Sequence, residues 1–118
     1  MSDFLLGLLK SGNNFLKKGE IMKIPDKVKI GGYEVKVRWT DNLVTDRGHI
    51  GEYSPREQVI IIDKASTKQE SKETFLHELL EAIKSIYGLE LEHKCLSLLS
   101  LVLHQVIEDN PGIFKVED

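Results

Sequence analysis

A chain of 118 residues fits most simply into one domain able to bury a core of its own, so folding requires neither disulfides nor a structural metal. Charged residues at 30% and hydrophobic residues at 41% are those of a globular protein and exclude both a disordered chain and a membrane-embedded one. A formal net charge of -3, with Lys17-Lys18 too short a patch to offset it, excludes nucleic-acid binding through a phosphate-neutralising surface. Cys95 is the only cysteine, which rules out an internal disulfide and zinc-finger spacing and points to a reducing cytoplasm.

Residues 1–21 form an N-terminal extension. Its apolar run Phe4-Leu5-Leu6-Gly7-Leu8-Leu9 lacks a preceding basic region and a small-residue cleavage site, so a short amphipathic helix is expected rather than an export signal. Lys18-Gly19-Glu20-Ile21 can be encoded by a purine-rich ribosome-binding sequence, which makes Met22 a candidate start and residues 22–118 the domain proper.

Beyond Pro25, Val28, Ile30, Tyr33, Val35, Val37 and Trp39 alternate around Gly31-Gly32, a pair suited to a tight turn; residues 27–39 are expected as an antiparallel hairpin. Residues 40–48 have loop composition, with Asp41, Asn42, Asp46 and Gly48. Two further strands are expected over 49–53 and 58–63, separated by a turn at Ser54-Pro55-Arg56-Glu57. Val59-Ile60-Ile61-Ile62, apolar on both faces, belongs inside the sheet.

Ser66 with Gln69 three residues on reads as a capping box opening a helix that runs to about residue 87 and stops at Gly88. A second helix is expected from about 91 to 109, with Leu96, Leu99, Leu103, Val106 and Ile107 at core spacing and an end before Asn110-Pro111-Gly112. Cys95, among leucines, is expected as a small buried hydrophobe. The fold class is α+β: a small antiparallel sheet, made of the hairpin plus two further strands, packed on one helix and followed by a second.

The chemistry concentrates in Thr74-Phe75-Leu76-His77-Glu78-Leu79-Leu80-Glu81. A zinc-peptidase helix carries H-E-x-x-H; here Glu81 occupies the place of the second histidine. His77 and Glu81, four residues apart, share a helical face, and imidazole nitrogen and carboxylate oxygen are both zinc donors. Glu78, rotated by about 100° from His77, is placed to take a proton from water instead of binding metal. A third donor must come from the second helix. His93 and His104, with Ser97 and Ser100 between them, lie on its one polar stripe, and periodicity does not choose between the two histidines. His49 and Tyr53 are candidates to polarise a substrate carbonyl. The competing reading makes the same residues a solvated face, with Glu81 paired to Lys84 or Ser85 and Glu73 to His77.

Ile24-Pro25-Asp26-Lys27-Val28-Lys29-Ile30-Gly31-Gly32-Tyr33, then Gly51-Glu52-Tyr53, the His77-Glu78 helix, Leu91-Glu92-His93 and Gln105-Val106 follow in an order that resembles small phage and prophage proteins related to the ImmA/IrrE-type metallopeptidases. The resemblance spans residues 23–110 and implies a minimal zincin-like half-domain. It implies zinc, or manganese or iron, held by His77, Glu81 and His93, with Glu78 as catalytic base and the Gly51-Glu52-Tyr53 segment as an edge that aligns a peptide. The function expected from it is hydrolysis of a peptide bond in a protein substrate. The departure at Glu81 adds negative charge at the metal and acidifies bound water less. The alternative is therefore a weak or inactive zincin-like accessory protein that acts by binding a host protein. Neither nucleic acid nor membrane is an expected partner, and oligomeric state is left open.

Overall fold

In the computed structural model, which describes residues 22–113, the apolar alternation forms a hairpin of β1 (Lys27–Ile30) and β2 (Tyr33–Thr40). The expected N-terminal extension lies outside the described residues. Gly31 takes a left-handed φ of 58°, and a Cβ there would lie 2.7 Å from the Tyr87 hydroxyl, so both conformation and space favour glycine.

The class is α+β, but the sheet is mixed and not wholly antiparallel. Its strand order is β1-β2-β4-β3, with β3 (Gly51–Ser54) antiparallel to β4 (Val59–Asp63) and β4 parallel to β2 from Lys36↔Val59 to Thr40↔Asp63. The parallel pair arises because the chain skips one position after β2. The more polar β3 takes the edge, and β4, apolar on both faces, returns into the gap between β2 and β3. The stretch expected as loop over 40–48 contains a short helix, α1 (Leu43–Arg47), bounded by left-handed Asn42 and Gly48. Leu43 is buried, and the Asp63 carboxylate accepts the Val44 and Ala65 N–H groups at 2.8 Å each, tying α1 to the end of β4. Those bonds, Val44 foremost, hold the Asp63 carboxyl below its ordinary range.

Helix α2 (Lys68–Tyr87) is capped one residue later than the sequence pattern indicates. Thr67 Oγ1 accepts the Glu70 N–H at 3.1 Å while Glu70 Oε1 accepts the Thr67 N–H at 2.8 Å. Ser66 is diverted from capping because its hydroxyl donates to the Asp63 carbonyl at 2.7 Å. Gly88, in the left-handed region, ends the helix and donates its N–H to the Lys84 carbonyl. Phe75 and Ala82 pack on Ile30, Val35, Ile60 and Ile62 of the sheet, so one face of α2 is fixed against the sheet and another is free for α3. Each aliphatic side chain of that size contributes about 1.5–3 kcal/mol on full burial.

Helix α3 (His93–Asp109) bears out the expected core assignment in part: Leu96 is buried and Leu103, Val106 and Ile107 are half-buried, but Leu99 lies outside and the other buried positions are polar. Leu96, Ser100, His104 and Glu108, spaced one turn apart, are its buried residues, whereas Leu98, Leu99, Leu101 and Val102 are 45–62% exposed and Cys95 is exposed. The burial of polar side chains follows from what α3 meets. Its polar stripe faces Glu73 and Glu81 of α2, and leucines in that place would strip water from two carboxylates without giving them partners. Among the described residues no helix is long and apolar enough to cross a membrane.

Candidate metal centre

A groove of about 1220 Å³ runs between β3, α2 and the first turns of α3. Along its floor, consecutive turns of α2 present Glu73, His77 and Glu81 on the side facing α3. His77 Nε2 lies 3.6 Å from Glu81 Oε2, and His93 Nδ1, from the first residue of α3, lies 3.4 Å from the same oxygen. The two imidazoles meet edge to face with centroids 5.1 Å apart. One donor atom from each of the three residues falls within 4.8 Å of the others.

These separations suit a metal. Four ligands at zinc's usual distances of about 2.0–2.1 Å stand at tetrahedral edges of roughly 3.4 Å, close to the two gaps that share Glu81 Oε2. The donors are also in the right electrical state. Burial lowers the pKa of His77, against the pull of Glu81 and with the help of His93, which favours the neutral ring that coordinates metal. Two of the three ligands have a neighbour outside the donor set. Ser97 Oγ is 3.4 Å from His93 Nε2, leaving Nδ1 turned to Glu81, and Lys84 Nζ lies 4.0 Å from the other Glu81 oxygen.

Glu78, the next residue around α2, turns away from the donor cluster and under β3. It is buried, and its pKa is raised to about 7 by that burial first and then by the nearby Glu81 and Glu52 carboxylates. Gly51 makes this approach possible. A Cβ there would overlap the Thr74 methyl group and stand 3.6 Å from Glu78 Cγ, so any side chain would push β3 off the helix. Glu52, beside Gly51, accepts Arg47 Nη1 at 2.6 Å and meets His49 Nε2 at 2.9 Å, fixing His49 at the groove wall. Tyr53 also lines the groove, but its hydroxyl donates to Gln58 Oε1 at 3.1 Å.

The two histidines that periodicity could not separate are separated here. His93 joins His77 and Glu81; His104 does not. His104 is 4% exposed, with Nδ1 at 3.7 Å from Glu73 Oε2 and Nε2 at 3.7 Å from Glu108 Oε2. Sequence reasoning placed the three donors and Glu78 but assigned no role to Ser97, Lys84 or Gly51 in building the site. Lys84 and Ser97 were visible at helical spacing from Glu81 and His93, whereas the steric demand on Gly51 depends on how closely a strand and a helix approach. No protein-family model matches the chain, and no curated protein or solved structure matches it.

Proposed function

We propose that this groove is a metal-dependent peptidase centre, in keeping with the resemblance to small phage-derived zincin-like proteins, acting in the cytoplasm on a protein or peptide substrate. The observation that carries the reading is the placement of three donors, His77, Glu81 and His93, within coordination reach of one another, with a buried carboxyl, Glu78, on the adjoining face of the same helix. When bound, zinc, or manganese or iron in its place, would polarise the scissile carbonyl and acidify water.

The chain's own groups supply the remainder. Glu78 takes a proton from the attacking water as its oxygen bonds to the carbonyl carbon, then delivers that proton to the amine nitrogen as the C–N bond breaks. A pKa of about 7 suits both duties near neutral pH. His49, held by Glu52, stands on the groove wall as a donor to the carbonyl oxygen. β3 is an edge strand that lines the groove, so an extended peptide can add to it through backbone hydrogen bonds. Lys84 beside Glu81 offsets part of the charge that the carboxylate ligand brings.

The test combines metal analysis with hydrolysis of a peptide library. Protein purified without chelator is expected to hold about one equivalent of a divalent metal, and Glu78→Gln to retain it while losing roughly 10²–10⁴-fold in rate. Metal retained by a wild-type protein that cleaves nothing would favour the accessory protein that acts by binding. Metal below about a tenth of an equivalent after reconstitution would remove the metal reading altogether.

A further inference from the structure

Helix α3 has a second apolar face. Cys95, Leu98, Leu99, Val102 and Val106 recur at steps of three and four residues on the side away from the buried Leu96, Ser100 and His104. The first four are exposed and Val106 is half-buried. An apolar stripe with helical spacing, open to water, marks a surface that meets a further element.

The chain itself contains a matching segment. The described residues begin at Met22, which packs against the core and donates its N–H to Glu108 Oε2 at 3.3 Å, so residues 1–21 join the domain beside the last turn of α3. At about 100° per residue, Phe4, Leu5, Leu8, Leu9, Phe15 and Leu16 fall within an arc of about 140°, opposite Asp3, Lys10, Asn14 and Lys17; Leu6 alone departs from it. A helix from Phe4 to Leu16 would be about 18 Å long, and the stripe from Cys95 to Val106 is about 17 Å long. Residues 17–21 can span about 16 Å, enough to turn around a helix about 10–12 Å thick. Lys17-Lys18 then come beside the carboxyl end of α3, where Glu108, Asp109 and the negative pole of the helix bring opposite charge. A helix this short, with Gly7, Gly12, Asn13 and Asn14 in it, is marginal by itself in water and needs a surface to form on.

We infer that residues 4–16 dock as a helix on the Cys95–Val106 face of their own chain, parallel to α3, with Leu5 near Cys95. The tether favours this occupant over a second copy, because a short linker holds the segment at an effective concentration in the mM range. Residues 1–21 then belong to the folded domain, against a start at Met22. The docking uses none of the metal donors and stands independently of the peptidase reading.

Cys95, the only cysteine, reports on the face in the full chain. A second cysteine is introduced singly at Leu5, on the apolar arc, or at Asp3, opposite it, and the protein is oxidised with glutathione disulfide. Leu5→Cys is expected to form an intramolecular disulfide with Cys95 at least about tenfold faster than Asp3→Cys, because only a docked arc holds the two sulfurs in bonding geometry. Equal rates would mean that the segment only passes by, and would overturn the docking. A disulfide formed only between chains, with a dimer mass in light scattering, would give the face to a second copy and overturn it too. Alkylation of Cys95 by N-ethylmaleimide is expected to be at least about tenfold faster in Phe4→Asp/Leu8→Asp than in wild type, and an unchanged rate would count against the cover. Should that variant unfold, the disulfide comparison decides, since it leaves the rest of the arc intact. Sedimentation of wild type with phosphatidylglycerol vesicles, abolished in Phe4→Asp/Leu8→Asp, would assign the arc to a lipid surface and overturn the docking.

Discussion

Two histidines on α3, His93 and His104, face the same partner helix across the same interface and do opposite things. His93 is at the open end, 73% exposed along its side chain, and shares Glu81 with His77. His104 is at the closed end, 5% exposed along its side chain, between Glu73 and the buried Glu108. A ring that joins two other donors around one point can hold a cation that comes and goes from solvent. A ring between two carboxylates on opposite sides, each beyond hydrogen-bond distance at 3.7 Å, instead fills space in the interior. The same residue type on one helical stripe thus becomes a ligand or a core element according to depth and the number of donors it meets.

The sharpest way to break this contrast is to truncate each ring. His104→Ala opens a cavity and removes the group between two acidic side chains, so it is expected to lower the unfolding free energy by roughly 3–4 kcal/mol in denaturant titrations, while the refolded protein still takes up metal. His93→Ala is expected to leave metal-free stability within about 0.5 kcal/mol and to abolish stoichiometric metal binding. The reverse pattern, metal lost with His104 and stability lost with His93, would exchange the two roles. Zinc at a hundredfold excess over its Kd is expected to stabilise wild type by about 2.7 kcal/mol, and His93→Ala by nothing measurable.

The pH dependence sharpens the same division, because Glu78 lies beneath the open site. Its folded pKa of about 7 stands above the ordinary 4.5, so the folded protein holds this proton more tightly than the unfolded chain does. Metal-free stability is therefore undiminished by Glu78 below about pH 4.5, falls as pH rises through the window from 4.5 to about 7, and carries the whole penalty above it. His77 works in the other sense, since its lowered pKa favours the folded state as pH rises toward its ordinary 6.5. Subtracting the Glu78→Gln profile from wild type isolates the first effect, expected to reach about 3 kcal/mol at pH 8. Two superimposable profiles would show that Glu78 is not held in the desolvated position described.

What could be read from the residues divides along similar lines. The hairpin at Gly31-Gly32, the interior strand at 59–62 and the His77-Glu81 face were legible because each depends on local spacing. The parallel β2–β4 pairing was not, because it depends on where the chain returns after β3 and not on any pattern within a strand. The burial of the polar stripe of α3 was not legible for a related reason. Leucine is its commonest residue, and only the carboxylates of α2 reveal that Ser100 and His104 belong inside while Leu99 and Cys95 lie outside. Helical periodicity places His93 and His104 on one stripe but says nothing of depth; the sequence resemblance pointed to His93, and the structure brings it beside His77 and Glu81.

The smallest expected effect tests whether His93 is a prepared ligand or merely a nearby one. Ser97 is 3.4 Å from His93 Nε2, a long contact that in this structure offers the ring's far nitrogen a partner and leaves Nδ1 toward Glu81. A metal drawing on Nδ1 makes the opposite N–H more acidic and strengthens that contact, so its value should appear mainly in the metal-bound state. Ser97→Ala is accordingly expected to weaken zinc binding by about tenfold, roughly 1.4 kcal/mol, in competition with a chromogenic chelator. Metal-free stability should move by no more than about 0.5 kcal/mol, because Ser97 lies on the groove surface. Equal losses with and without metal would mean that Ser97 supports the helix and not the ligand, and His93 would then owe its position to α3 alone.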